Sequence, residues 1–300
     1  MTVQDYTDRW SRLVLALKSR ASVDNIASRL RLINSRIGSR EIGKLTHSAI
    51  QDLFTELARQ YSPQSLRAHW SALHGLLVSA RRDRLISELP DAPHMPRIRQ
   101  ISRPWYSPQE MRRLILYSTH PLNELIATLA ETGLRIGEAL ALDHSSVRGN
   151  LLSITKTLYR GQAGPPKTDN AFRTLSLSVR LTESLSVLAR VQGAILFPNQ
   201  NQKPMWPADI SKTMARIVAP AAEVEWKGWH ALRRGNVTLM RSLGVSPVIR
   251  LYREGHSAKG GLLEAVYDQT QGLTAREREE ERAWAEEISY AIWEGNNETQ

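Results

Sequence analysis

The sequence contains no cysteine, which excludes a disulfide framework, a thiolate metal site and a cysteine nucleophile, and which fits a reducing, intracellular setting. No uncharged apolar run approaches the ~20 residues that span a bilayer. Residues 1–12 carry Asp5, Asp8 and Arg9 rather than the apolar core of a secretory leader. No internal repeat, low-complexity tract or acidic cluster with metal-binding spacing stands out. These absences lead to the expectation of a soluble cytoplasmic protein without a membrane partner.

What is present in excess is positive charge. Forty lysines and arginines stand against 30 acids, for a net charge of +10 and a pI near 10.1. The excess is uneven: residues 1–103 carry a net +8, residues 104–273 a net +7 and residues 274–300 a net −5. A basic body with an acidic tail suits a polyanionic partner, and without a long amphipathic basic helix that partner is nucleic acid rather than an anionic membrane. At 300 residues, two domains are the better expectation.

In the first third, Leu66, Trp70, Leu73, Leu77 and Ala80 recur at spacings of three and four behind Ser62-Pro63, predicting a capped amphipathic helix. Its end carries Arg81, Arg82 and Arg84, either a DNA-facing cluster or a solvated last turn favoured by the helix dipole. Pro90, Pro93, Pro96 and Pro104 then forbid a regular element, and Arg97, Arg99 and Arg103 between them could track a phosphate backbone. The expected organisation is a helical domain over 1–93, a linker over 94–104, a second domain over 105–273 and an acidic helix with a tail over 274–300.

The second domain opens with the cap Ser107-Pro108-Gln109-Glu110. Helices are predicted over Leu122–Ala130 and Ile136–Leu142. Leu151–Leu158 and Phe172–Leu177 alternate as strands of a hairpin whose long turn includes Gly161–Pro166, and Val147-Arg148 could add a third strand. Helices resume at about 181–192, 207–219, 229–243, 246–254, 262–270 and 274–293. The fold class expected is mainly α with a small antiparallel sheet.

Within this frame one ordered set of residues carries chemistry. Two arginines can clamp a phosphodiester through bidentate forks and offset the charge of a five-coordinate phosphorus. A tyrosine hydroxyl can attack that phosphorus, a lysine can protonate the departing oxygen, and histidines can handle the tyrosine proton and donate to phosphate oxygens. No cofactor or metal is called for. Thr132-Gly133-Leu134-Arg135-Ile136-Gly137-Glu138, then Lys167, then His230-Ala231-Leu232-Arg233, then Gly255-His256, then Tyr267 resembles the catalytic domain of the tyrosine recombinase (phage integrase) family over about residues 105–270. The preceding helical region is similar to the family's core-binding domain.

That resemblance implies that Arg135 and Arg233 bind the scissile phosphate, Lys167 acts as general acid, His230 assists proton transfer, His256 donates to the phosphate and Tyr267 forms a 3'-phosphotyrosyl intermediate. Lys156 also lies in the hairpin and competes for the acid role. The family implies two domains embracing duplex DNA at a specific site, and a tetramer that exchanges strands through a Holliday junction. It further implies a cytoplasmic enzyme of prokaryotic or nucleoid-associated type. A non-catalytic DNA-binding protein of the same fold, a type IB topoisomerase-like enzyme and a telomere-resolvase-like enzyme are the alternatives. Trp284, Ile288 and Ile292 form an apolar stripe on the acidic helix, which is expected to dock on a neighbouring protomer, with folding back on its own domain as the alternative.

Overall fold

The structure is a computed structural model that describes residues 1–14, 17–99, 102–166, 171–190, 195–255 and 272–295. The chain divides into two compact units, Met1–Ile101 and Ser102–Gln300.

The first unit is built from four helices: α1 (Val3–Leu13), α2 (Arg20–Ile37), α3 (His47–Leu57) and α4 (Pro63–Arg82). Each start that has a side-chain cap shows why the chain turns helical there. The Thr2 hydroxyl accepts from Asp5 N–H while the Asp5 carboxylate accepts from Thr2 N–H, Thr46 caps α3, and Ser62 caps α4 ahead of Pro63. The stripe predicted on α4 is observed: Leu66, Leu73, Leu77 and Ala80 are buried, together with Leu76, against Tyr6, Leu30, Ile33, Ile50 and Phe54. Trp70 meets Phe54 edge-on at 6.0 Å. Tyr6 Oη donates to Asp83 at 2.9 Å, fastening α1 to the end of α4. Beyond it, residues 87–99 form no regular element, as three prolines dictate.

In the second unit α5 (Pro108–Leu116) carries the capping box of Ser107 and Glu110, and α6 (Leu122–Thr132) stops at Gly133, whose φ of +67° is a left-handed cap. A short α7 (Ile136–Ala139) follows. Strands β1 (Val147–Arg148), β2 (Leu151–Ile154), β3 (Thr157–Tyr159), β4 (Gln162–Gly164) and β5 (Arg173–Ser176) come next. They form an antiparallel sheet in the order β1-β2-β5, with Leu152 opposite Val147 and Leu175, and a separate β3-β4 hairpin. The single long hairpin expected from the alternation is thereby corrected. The strand breaks between Ile154 and Thr157, and part of the expected turn is strand, because Arg160 and Gly161 take φ of +47° and +75° and make a tight two-residue connection.

The remaining helices are α8 (Val179–Leu188), α9 (Pro207–Thr213), α10 (Ala219–Ala221), α11 (Trp229–Ser242), α12 (Pro247–Glu254) and α13 (Ala275–Trp293). Between α9 and α10 lies a π-helical turn over Met214–Val218. Pro220 lacks the N–H that a carbonyl four residues back would accept, and its ring crowds that carbonyl, which accounts for the widening just before it. α8 begins earlier than the sequence pattern predicts because the Ser178 hydroxyl accepts from Leu181 N–H. The helix expected over 262–270 falls outside the described residues. Leu125, Ile126, Leu129, Leu152, Leu175, Leu232 and Ile249 fill the core.

Of the two readings of the acidic helix, the structure shows the fold-back: α13 packs on its own unit. Ala285, Ile288 and Ile292 are buried in the second unit's core, and Trp284 and Trp293 pack at its margin. Its acids find partners there as well. Glu281 pairs with Arg253 and accepts from Ser176 N–H, Glu286 accepts from Val179 N–H at 2.9 Å, and Glu294 pairs with Arg180 at 3.2 Å. Net charge alone hid this, because two of these acids satisfy backbone N–H groups of the sheet and of α8 rather than facing a basic surface. Among the described residues no helix is long and apolar enough to cross a membrane.

Candidate phosphodiester site

The turn after α6 brings the first arginine into place. A side chain at position 133 would need a left-handed backbone, and its Cβ would lie 2.6 Å from Asn236 Oδ1, so glycine is required twice over. Arg135 then caps α7. Its Nη1 donates to Glu138 Oε1 at 2.8 Å and its backbone N–H to Oε2 at 3.1 Å, while 36 % of the side chain stays exposed. Glu138 is nearly buried and also accepts from Arg173 Nη2 on β5 at 3.1 Å. Burial alone would raise the Glu138 carboxyl, but the charge of Arg173 and hydrogen bonds from it and from Arg135 outweigh that and hold it below the usual carboxylate range.

The second arginine comes from α11. Gly235 lets this helix approach closely, since a Cβ there would meet the Tyr106 carbonyl oxygen at 2.3 Å. His230 and Arg233 lie three residues apart on one face. Arg233 donates from Nη1 to the Gly133 carbonyl at 2.7 Å and from Nη2 to the Glu254 carbonyl at the end of α12, with the Glu254 carboxylate at 3.8 Å. Burial, then the neighbouring charge of Arg135, lowers its pKa to about 10 against the pull of Glu254 and Glu138, so it remains a cation at neutral pH.

His230 is exposed overall, yet its ring is partly desolvated. That desolvation, then the charges of Arg233, Arg234, Arg135 and Arg103, lowers its pKa, leaving a neutral imidazole at pH 7 that can accept a proton. Arg103, Arg135, Arg233 and Arg234 thus all act electrostatically on His230. Arg234 is steadied by donation from Nε to the Pro104 carbonyl at 2.7 Å. The structure therefore brings Arg135, His230 and Arg233 together and leaves Arg103, which the sequence placed in the linker, within electrostatic reach of His230.

Other candidates lie elsewhere. Arg81 and Arg82 are exposed in the last turn of α4, and Arg84 follows with φ of +58°. Arg97 and Arg99 are exposed in the first unit, lining a cleft of about 670 Å³ with Ser62, Pro63, Gln64 and Ile98. Lys156 is tied to Asp143 at 3.0 Å. Burial would raise that aspartate, but hydrogen bonds from Ser145 and Lys156 hold it near pKa 2. Lys167, His256 and Tyr267 lie outside the described residues. Among the described residues no group of three or more histidines and acids is arranged to hold a metal ion.

Sequence reasoning missed Glu138, Arg173 and Arg253. Glu138 stood in the quoted motif, and its position three residues after the helix cap was the available signal. Arg173 shares a strand face with buried Leu175, so a charge at an inward position was the signal there. Arg253 is buried to 1 % exposure, pairs with Glu281 and donates from Nη2 to the Glu131 carbonyl at 3.1 Å. Both partners are remote in sequence, which left nothing local to read.

A mainly α scaffold here brings two arginines and a histidine close together, a set of side chains whose chemistry suits an oxyanion such as a phosphodiester. Comparison with solved structures then identifies the scaffold. The integrase of the Tn1549 transposon, in complex with circular-intermediate DNA, superposes with a TM-score of 0.71 at 18% identity, covering 94% of this chain and 99% of that one. A lambda integrase dimer bound to a core site gives 0.68 at 16% identity, covering 86% and 96%. A lambda integrase tetramer bound to a Holliday junction gives 0.66 at 16%, covering 92% and 80%. The chain thus has the tyrosine recombinase fold. No family model matches the sequence, and no curated protein does.

Proposed function

We propose that the chain is a tyrosine-type site-specific recombinase that cleaves and rejoins duplex DNA. The observation that carries the reading is the convergence of Arg135 and Arg233 beside His230, on a fold whose solved neighbours are integrases bound to DNA. The ordered motif extends it to Lys167, His256 and Tyr267.

In this mechanism the guanidinium groups of Arg135 and Arg233 take the non-bridging oxygens of the scissile phosphate and stabilise the charge that develops at five-coordinate phosphorus. The Tyr267 oxygen forms a bond to phosphorus as the bond from phosphorus to the 5' oxygen breaks. The phenol proton passes to a base, with neutral His230 positioned for proton traffic, and Lys167 gives a proton to the 5' oxygen. His256 donates to a phosphate oxygen. One phosphodiester replaces another, so the energy for rejoining is retained and no cofactor or metal takes part. Arg81, Arg82, Arg84, Arg97, Arg99 and Arg103 bind flanking phosphates, and the acting form is a tetramer on paired sites that passes through a Holliday junction, in a cytoplasmic setting of prokaryotic or nucleoid-associated type.

The test is a nicked duplex selected from a randomised pool, on which cleavage becomes irreversible. A protein-DNA adduct on a denaturing gel is expected from the wild-type chain and none from Tyr267→Phe. Arg135→Ala should form adduct about 100- to 1,000-fold more slowly. Tight binding with no adduct from any selected duplex would replace this reading with a non-catalytic DNA-binding protein.

A further inference from the structure

The two phosphate arginines of the proposed site do not stand independently. Arg135 is held by Glu138, Glu138 by Arg173, and Arg173 donates from Nε to the Arg253 carbonyl at 3.0 Å. The next residue, Glu254, offers its carbonyl to Arg233, and Arg233 returns to the Gly133 carbonyl, two residues before Arg135. The bonds and short stretches of backbone close into a ring that ties the turn after α6, β5, the end of α12 and the face of α11.

Arg173 is a member of this ring that no step of the proposed chemistry uses. Its side chain is 1 % exposed, so it cannot reach DNA. All three of its nitrogens are engaged, since Nη1 also donates to the Ala171 carbonyl at 3.0 Å. A planar fork can serve three acceptors in three directions, whereas one ammonium cannot serve all three at these positions. Charge points the same way. Within the ring Arg135, Arg173 and Arg233 oppose Glu138 and Glu254, so the ring keeps a positive excess suited to an anion, while buried Arg253 is balanced by Glu281.

We infer that Arg173 is a positioning residue of the phosphate site, which sets the separation of Arg135 and Arg233 by holding Glu138 and the last carbonyls of α12 at a fixed distance. The inference rests on the proposed function. Without Arg173, Glu138 turns wholly to Arg135 and withdraws that guanidinium from an incoming phosphate, and the carbonyl that locates Arg233 loses its anchor.

The experiment compares wild type with Arg173→Lys, which keeps the charge and loses the fork, on the duplex that the wild-type chain selects. DNA affinity is expected to stay within twofold, and the single-turnover rate of adduct formation at saturating DNA to fall about 100-fold, the size of effect that an ångström of misplacement produces. A role in general stability would not produce the second expected result: in an Arg135→Lys background the Arg173→Lys change should cost little more, because both act on one contact. If Arg173→Lys fails to fold, Glu138→Gln, which preserves shape, should give the same rate loss and the same non-additivity. A folded variant that reacts within twofold of wild type, or a loss that repeats in full in the Arg135→Lys background, would overturn the inference. Absence of adduct from the wild-type chain itself would instead remove the functional reading, and the inference with it.

Discussion

Arg173 and Arg253 are each 1 % exposed in their side chains, enclosed by carboxylates and carbonyl oxygens, whereas Arg81, Arg82 and Arg84 stand in solvent at the end of α4. The same residue type meets opposite physics in the two places. A buried guanidinium exists only because its partners are in position, so its loss leaves an opposing charge stranded. A solvated one is nearly neutral for stability and retains its donors for another molecule. Charge counted along the sequence adds the two kinds together, and only the fold separates those that build the site from those that could meet DNA.

The sharpest way to break the comparison is Arg253→Met. It strands Glu281 in the core, and urea denaturation should show a loss of about 3 to 5 kcal/mol. A change below about 1 kcal/mol would mean that this arginine behaves as a surface one. Ile288→Ala probes the same enclosed region from its apolar side. A cost of about 2 to 5 kcal/mol that does not vary with protein concentration is expected from a helix packed in cis, whereas concentration dependence would return α13 to a neighbouring protomer.

A third, smaller effect is read by acid. The folded pKa of Asp143 lies near 2, below its ordinary 3.8, so its contribution is present above 3.8 and is lost as pH falls through the folded value. Stability should therefore fall between about pH 4 and 2 by at most about 2 kcal/mol, reduced further by solvent at this partly exposed pair. Asp143→Asn should flatten that part of the profile, and an unchanged profile would separate the pair from stability. The smallest stability effect belongs to the exposed arginines of α4. Arg81→Ala and Arg82→Ala should each change stability by less than about 0.5 kcal/mol while lowering the log-log salt slope of DNA binding by about 0.9. An unaltered slope would make them merely solvated.

Much of the helical frame was legible because its signals are local. Ser62-Pro63, Ser107-Pro108 and Ser246-Pro247 each cap a helix, and the stripe of α4 names its own buried face. His230 and Arg233 were legible as a pair because three residues on a helix are neighbours in space. The β3-β4 hairpin was not, since Arg160 adopts a positive φ that its side chain gives no reason to expect. Nor was the cis packing of α13, which depends on Arg253, Ser176 and Arg180. Their geometry arises from contacts across the unit rather than from spacing along the chain.

The ring that joins Arg135 and Arg233 has a kinetic consequence. Its bonds join residues 100, 80, 35 and 21 positions apart, and closing loops of that length carries an entropic cost before any contact compensates it. The ring therefore belongs to the last stage of folding, after the apolar core has brought β5, α11 and α12 together. Substitutions within it should leave the refolding rate nearly unchanged and appear as faster unfolding, so the lifetime of the native state, more than the speed of reaching it, is what these buried arginines control.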